Sequence, residues 1–351
     1  MAGSKQCFSE RVLNWFDQHG RHDLPWQKKR NPYRVWVAEI MLQQTQVKTV
    51  IPYYQNFLKS FPSLSTLASS SLDEVLSHWA GLGYYSRARN LHKAAVAIVE
   101  THQGKFPTRY DDVLALPGIG PSTAGAILAQ ALNQRHAILD GNVKRVLSRY
   151  HAIEGWSGRS DVSKLLWDKA RQYTPDKRVD DYTQAIMDLG ATLCVRSKPL
   201  CLSCPLNQDC KAYLSDSVTL YPTKKPKKVI PVKQIQMLII KNSAGAVLLE
   251  KRPPSGIWGG LWSLPELDIG DDVINYCVSQ WSLSAEHDKQ GEPFRHTFSH
   301  YHLDITPCWI KTDGEMGQIG EQKELVWCDT ENLHKVGVPK PVASLLDQTF
   351  A

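Results

Sequence analysis

The segment Tyr221-Pro-Thr-Lys-Lys-Pro-Lys-Lys-Val-Ile-Pro-Val-Lys233 carries three prolines and five lysines and has no apolar periodicity. Such a stretch neither continues a helix nor buries a face, so it reads as an exposed linker. It cuts the chain into two parts with different periodicities. Before it, apolar residues recur at three- and four-residue steps over Arg34–Val50, Leu72–Trp79, Ser86–Glu100, Ser122–Leu132, Val143–Tyr150, Val162–Tyr173 and Tyr182–Leu193, the signature of amphipathic helices. After it, Gln234–Ile240 and Ala246–Lys251 are short β-favouring runs separated by the turn cluster Asn242-Ser-Ala-Gly245, with further strands expected at His302–Ile310 and Glu324–Cys328 and a helix over Asp271–Trp281. A chain of 351 residues also exceeds the ceiling of about 250–300 residues for one core. The expectation is a multidomain protein: a mainly α domain over residues 1–221, a linker over 222–233, and an α+β domain over 234–351. No repeat of solenoid period occurs.

Charge follows the same division. Residues 1–216 hold 27 Lys and Arg against 19 Asp and Glu, residues 217–249 hold six Lys and no acid, and residues 250–351 hold 8 basic against 16 acidic residues. A basic front and linker before an acidic tail point to a polyanion as ligand of the front part. With 42% hydrophobic and 22% charged residues, the composition excludes collagen, coiled-coil and disordered classes. The first 22 residues lack a basic segment followed by an apolar one, so an intracellular address without membrane partner is expected. Val113–Gln134 is uncharged, but two prolines and three glycines interrupt it, which suits a soluble helix with its entry turn better than a bilayer span.

Four of the eight cysteines form Cys194-x6-Cys201-x2-Cys204-x5-Cys210. In a reducing compartment such clustering argues for a metal and against disulfides. Zinc sites usually present two Cys-x2-4-Cys knuckles and this loop has one; the spacing suits a [4Fe–4S] cluster held by a single loop. Arg196, Lys198 and Lys211 decorate the loop, which leaves phosphate contact and pure stabilisation of the domain as equal readings. Cys7, Cys277, Cys308 and Cys328 are scattered and read as inert thiols.

Leu116-Pro-Gly-Ile-Gly-Pro-Ser-Thr-Ala-Gly125 lies between two helical runs. Gly118 and Gly120 permit a tight turn, and Ser122 or Thr123 is placed to cap the following helix, whose free amides would suit one DNA phosphate. A generic helical corner fits the glycines equally well. Asp140, about 20 residues on in Leu139-Asp-Gly-Asn-Val-Lys-Arg145, tips the balance.

Hairpin, downstream Asp and terminal cysteine loop together resemble the helix-hairpin-helix base-excision DNA glycosylases over nearly all of residues 8–213. The resemblance implies two helical lobes holding a flipped base between them, with Asp140 at the pocket mouth and one [4Fe–4S] cluster on the loop at 194–210. Members of the endonuclease III type carry a catalytic lysine two positions after the last hairpin glycine, where this chain has Ser122. Without that amine, Schiff-base attack on the sugar is not available, so simple hydrolysis without efficient AP lyase activity is expected.

Hydrolysis of a purine nucleoside needs an acid. Glu39 is the candidate, because Val35, Trp36 and Leu42 make its helical surroundings apolar and burial there would raise its pKa; a solvated helix glutamate is the ordinary alternative. Ala38-Glu-Ile-Met-Leu-Gln-Gln-Thr-Gln-Val47 and Gly81-Leu-Gly-Tyr-Tyr-Ser-Arg-Ala-Arg-Asn-Leu91 resemble the adenine DNA glycosylase, or MutY, family, which removes adenine mispaired with 8-oxoguanine or guanine in duplex DNA. The resemblance implies that Glu39 protonates adenine at N7 and Asp140 stabilises the oxocarbenium-like sugar, one acid and one anion as in glycoside chemistry generally. Asn142 would orient water or a carboxylate. Gln43, Gln44 and Tyr84 match residues that intercalate beside the lesion, with a core role the alternative for Tyr84. Trp26 and Gln184 match the adenine pocket, although many members have Glu in place of Gln184. Lys144 would contact phosphate, with Gly118, Gly120 and Ser122 at the DNA backbone.

Gly259-Gly-Leu-Trp-Ser-Leu-Pro-Glu266 resembles the opening of a Nudix fold, but the following Asp271-Asp-Val-Ile-Asn-Tyr-Cys-Val-Ser-Gln280 lacks the glutamates that hold magnesium in a pyrophosphohydrolase. In the resembled family this tail recognises 8-oxoguanine, and Phe298, Ser299 and His300 in His296-Thr-Phe-Ser-His300 match its recognition loop. The implied protein is a base-excision repair enzyme that prevents G:C to T:A transversions; a monomer is expected, because two domains can clamp one duplex, and the residues do not show whether repair or clamp proteins bind it. Two competing readings are a pyrimidine glycosylase related to endonuclease III and a non-catalytic mispair sensor; retention of both Glu39 and Asp140 argues against the second.

Overall fold

The computed structural model describes residues 7–226, 229–313, 324–333 and 336–350; Lys227 and Lys228 of the linker lie outside them. By packing the chain forms two units, residues 1–68 with 93–227 and residues 69–92 with 228–351. The linear boundaries assigned 69–92 to the first domain; in the structure this segment groups with the tail strands. Lys251 Nζ donates to Asp73 Oδ2 at 3.0 Å, Tyr85 Oη donates to the Val338 carbonyl at 3.4 Å, and Leu76 packs against Gly337. Periodicity identifies a helix but not the partner that covers its apolar face.

Twelve helices precede the tail strands among the described residues: α1 (Phe8–His19), α2 (Pro32–Leu42), α3 (Val47–Ser60), α4 (Leu64–Ser69), α5 (Leu72–Trp79), α6 (Ser86–His102), α7 (Tyr110–Leu114), α8 (Pro121–Leu132), α9 (Gly141–His151), α10 (Ser160–Tyr173), α11 (Val179–Asp188) and α12 (Lys211–Leu214). The continuous pattern Arg34–Val50 is in fact two helices. Gln43 leaves the helical region at ψ 109°, and Gln44 takes a left-handed φ of 58°. The four residues Gln43–Gln46 are polar, so no apolar contact holds them in the helix, and the break carries them to the surface of a cavity. A second departure follows α11, where Leu189–Leu193 forms a π-turn.

The first unit's core gathers apolar stripes from α1, α8, α9, α10 and α11, among them Phe16, Val146, Leu166, Ala185 and Leu189. Each buried Val, Leu, Ile or Phe contributes about 1.5–3 kcal/mol, and together they fix the relative positions of α8, α9 and α11, from which the site is built.

The second unit holds β1 (Val232–Asn242), β2 (Val247–Lys251), β3 (Trp262–Ser263), β4 (Glu266–Asp268), α13 (Val273–Trp281), β5 (Ala285–Gln290), β6 (Phe294–Thr297), β7 (His302–Thr312), β8 (Leu325–Cys328) and α14 (Lys340–Phe350). Its mixed sheet runs β3-β2-β1-β7-β5, with β4 on β1, β6 on β7 and β8 on β2. The long central pair β1 and β7 is parallel, Val232 opposite His302 through Asn242 opposite Thr312, and the other pairings are antiparallel. Asp272 caps α13 by accepting from the amides of Ile274 and Asn275. No helix among the described residues is long and apolar enough to cross a membrane.

Candidate active site

A cavity of about 1020 Å³ opens in the first unit between the α2–α3 break, the start of α8, the start of α9 and the π-turn. Eight of the expected residues line it: Trp26, Glu39, Gln43, Gln44, Ser122, Asp140, Asn142 and Gln184. Gly118, Gly120 and Lys144 belong to the same unit but do not line the cavity.

Glu39 projects from α2 between neighbours that are themselves buried, Val35 and Trp36 among them. Gln130 Nε2, from α8, donates to Glu39 Oε1 at 2.8 Å. Loss of water around the carboxyl pushes its pKa up to about 7, with the Asp140 charge adding to the rise and the Gln130 bond opposing it. At neutral pH such a group holds a proton about half of the time, the condition for a general acid.

Asp140 occupies the N-cap of α9. Its Oδ1 accepts from the Val143 amide at 2.8 Å and its Oδ2 from Asn142 Nδ2 at 3.1 Å. Burial raises its pKa, while these donors and the Arg145 guanidinium favour the anion. The helix N-terminus adds a favourable dipole for negative charge. Asn142 is thus a side-chain donor to this carboxylate.

Arg145 ties this carboxylate to the cysteine loop. It donates from Nη2 to Asn142 Oδ1 at 2.8 Å and to the Gly190 carbonyl at 2.6 Å, and from Nε to the Cys194 carbonyl at 2.6 Å. The approach requires glycine at 190, since a Cβ there would sit 2.5 Å from the Asn142 Cβ.

The hairpin is α7, a turn and α8. Gly118 has φ 78°, a conformation other residues rarely adopt. The cap of α8 is Gly120, followed by Pro121 at the first helical position, and no side chain caps it. The expectation that Ser122 or Thr123 caps α8 is therefore corrected, because both lie inside its first turn. Ser122 Oγ accepts instead from the Leu139 amide at 3.0 Å, one residue before Asp140. The serine standing where a catalytic amine would be required steadies the irregular segment that leads into Asp140.

Gln184 and Trp26 form another wall. Trp26 packs edge-on against Tyr54 at 5.5 Å. Gln184, 3% exposed on α11, donates from Nε2 to Asp188 Oδ1 at 2.7 Å. Asp188 is in turn held by Arg21, through the backbone amide to Oδ2 at 2.8 Å and Nε to Oδ1 at 3.0 Å.

The four clustered cysteines line a small void of about 30 Å³ together with Arg149, Tyr150 and apolar side chains. Burial pushes the Cys204 thiol up to about 12 and also raises Cys201 and Cys210. Arg149 is buried beside them, donating to the Val195 carbonyl at 2.7 Å and lying 3.4 Å from Cys194 Sγ; no carboxylate pairs with it among the described residues. Among those residues no three His, Cys, Asp or Glu side chains converge closely enough for a single metal ion. The side chains that meet at this void are four cysteines with a buried cation beside them.

In the second unit, Tyr84 is 50% exposed with φ 49°, its ring over the Arg87 guanidinium at 5.5 Å. Gln44 and Tyr84 are thus both exposed side chains on left-handed backbone. Phe298, Ser299 and His300 sit in the turn between β6 and β7, closed by the Phe298 amide donating to the Tyr301 carbonyl at 2.9 Å. Phe298 packs against His296, Tyr301 and Trp258 at ring distances of 4.6, 4.7 and 5.4 Å, leaving Ser299 and His300 exposed at the tip.

Residue patterns missed Gln130, Arg21, Arg145 and Asp188. Gln130 had a readable signal, being the sole polar residue in Ala124–Leu132. Arg21 acts on a partner far away in sequence, and Arg145 and Asp188 each join a near neighbour to a distant one.

Residues 37–172 match the family profile described as the HhH-GPD superfamily base excision DNA repair protein, and residues 236–348 match a NUDIX domain. A thermostable thymine-DNA glycosylase of known structure superposes with a TM-score of 0.55 at 26% identity, over 59% of this chain and 95% of that one. Fold and site define a helix-hairpin-helix DNA glycosylase, a hydrolase of base excision repair, carrying a Nudix-like second domain. The adenine DNA glycosylase of Buchnera aphidicola subsp. Baizongia pistaciae is 40% identical over 97% of this chain and 95% of its own length, and that of Homo sapiens is 34% identical over 95% of this chain and 72% of its own. The chain belongs to the adenine DNA glycosylase family.

Proposed function

We propose that this protein hydrolyses the N-glycosidic bond of adenine opposite 8-oxoguanine or guanine in duplex DNA, as a monofunctional glycosylase acting as a monomer inside the cell. The observation that carries the reading is the pair of carboxyls in one cavity with opposed surroundings. Glu39 is lifted to about 7 in an apolar setting, while Asp140 is surrounded by donors to its anion. Glu39 gives its proton to N7 of a flipped adenine as the bond to C1′ breaks, Asp140 offsets the positive charge developing on the sugar, and water adds to C1′, its released proton returning to a carboxylate. Ser122 supplies no amine, so the abasic strand remains intact until alkali cleaves it.

Gln43 and Gln44 on the α2–α3 break, Tyr84 on its exposed turn, the free first-turn amides of α8 beyond Gly118 and Gly120, Ser122 and Lys144 would engage the duplex. Trp26 and Gln184 hold the adenine. Phe298, Ser299 and His300 recognise the opposing 8-oxoguanine, the exposed Ser299 and His300 supplying the polar contacts.

Cys194, Cys201, Cys204 and Cys210 would hold one [4Fe–4S] cluster, for which the all-sulfur set around one void and the uncompensated Arg149 are suited. Such a cluster fixes the loop and contributes folding free energy. Arg149 neutralises the thiolate charge, and Arg145 keeps the Cys194 carbonyl against the π-turn.

The test is single-turnover incubation with a duplex carrying adenine opposite 8-oxoguanine, and strand breaks compared with and without alkali. Alkali-dependent breaks in the adenine strand, absent in Glu39→Gln, are expected. Tight binding without breaks would replace the reading with a mispair sensor. Iron analysis of purified wild type and Cys204→Ser tests the cluster separately, the variant losing iron.

A further inference from the structure

Asp188 is the last residue of α11, fully buried, at the end of a helix where the dipole disfavours negative charge. A carboxylate placed there costs stability unless it is paired, and a leucine would fill the space without that cost. Its partners show what it does. Arg21 occupies it with backbone and side-chain donors, leaving Oδ1 to accept also from Gln184 Nε2. A carboxylate only accepts, so Gln184 must turn its NH2 towards Asp188 and its carbonyl oxygen away. Gln184 lines the cavity, and among the described residues Oε1 has no hydrogen-bond partner.

We propose that Asp188 is a positioning residue that locks the side-chain amide of Gln184 in one of its two orientations, so that the cavity presents an acceptor and selects a base with an exocyclic amine. This rests on the reading of the cavity as the adenine pocket. An unlocked glutamine presents either oxygen or NH2 at little cost. A locked one rejects a base bearing a carbonyl oxygen at the same place, because two acceptors then face each other without a proton. A glutamate at 184 would present an acceptor in either orientation and would not need the lock.

The test compares single-turnover excision of adenine and of hypoxanthine, which has a carbonyl oxygen at C6 in place of the amine, opposite the same partner base. The ratio of the two rates cancels differences in active protein fraction and in the shared chemistry. Asp188→Asn is expected to lower the adenine preference by about ten-fold. The Gln184→Glu, Asp188→Asn double variant is expected to restore it, and where Asp188→Asn alone excises too slowly to measure, recovery of excision with the wild-type ratio in the double variant has the same meaning. An unchanged ratio in Asp188→Asn, or a double variant that recovers neither ratio nor activity, overturns the proposal. A wild type that excises no adenine overturns the adenine-pocket reading instead.

Discussion

Gln130 Nε2 lies 2.8 Å from Glu39 Oε1, so the carboxyl proposed as the acid is held by a donor that favours loss of its proton. Burial wins, leaving the group at about 7. The balance places the acid within reach of both protonation states at neutral pH, and it sets the pH dependence of the reaction. Excision under single-turnover conditions should be retained below pH 7 and fall about ten-fold per pH unit well above it, a decline that Glu39→Gln removes together with the activity. A rate independent of pH between 6 and 9 in wild type would exclude Glu39 as the proton source.

Removing the opposing donor moves the limb in a known direction. Gln130→Leu deletes a bond made to the charged form, so the pKa of Glu39 rises further and the alkaline decline should begin at higher pH than in wild type. The shift is read from the midpoint of the pH–rate profile, which a general loss of packing would lower in amplitude without displacing. A midpoint moved to lower pH would mean that Gln130 chiefly donates to the protonated acid.

The same carboxyl is a stability liability with a defined window. Its folded pKa of about 7 lies above the unfolded value of about 4.3, so the folded state binds the extra proton between those values. Stability from this group is full below the lower pKa and is lost as pH rises towards 7. Glu39→Gln, which keeps an oxygen for Gln130 and carries no charge, should therefore stabilise the protein relative to wild type at pH 8 by up to about 4 kcal/mol, read as a higher Tm, and change Tm little at pH 4.5. Equal Tm differences at both pH values would show that the variant acts through packing.

The sequence displays the two carboxylates, the cysteine spacing, the hairpin glycines and the tail turn because each depends on local pattern. Glu39 stands alone in an apolar stripe, and Gly118 meets a positive φ that other residues resist. What it does not display is pairing over distance. Glu39 and Gln130 are 91 residues apart and Arg21 and Asp188 are 167 apart, and nothing at either end indicates the other. The break at Gln43–Gln46 was hidden because its residues are compatible with a helix and only the lack of an apolar contact releases them. The packing of residues 69–92 against the tail was hidden for a related reason, since those partners lie more than a hundred residues downstream.

Arg145 links the cysteine loop to Asp140 through Asn142. Its guanidinium bonds Asn142 Oδ1, the Gly190 carbonyl and the Cys194 carbonyl at once, and Asn142 donates to Asp140. Planar, forked donors satisfy this set, and an ammonium cannot reproduce it. Arg145→Lys should accordingly lower the single-turnover excision rate by about ten-fold or more, by analogy with other displaced electrostatic groups, while duplex binding changes less. Asn142→Ala should lower the rate similarly, and the double variant should be little worse than either single change, because both act on one carboxylate. Additive losses would show that Arg145 serves the loop and Asn142 serves Asp140 independently.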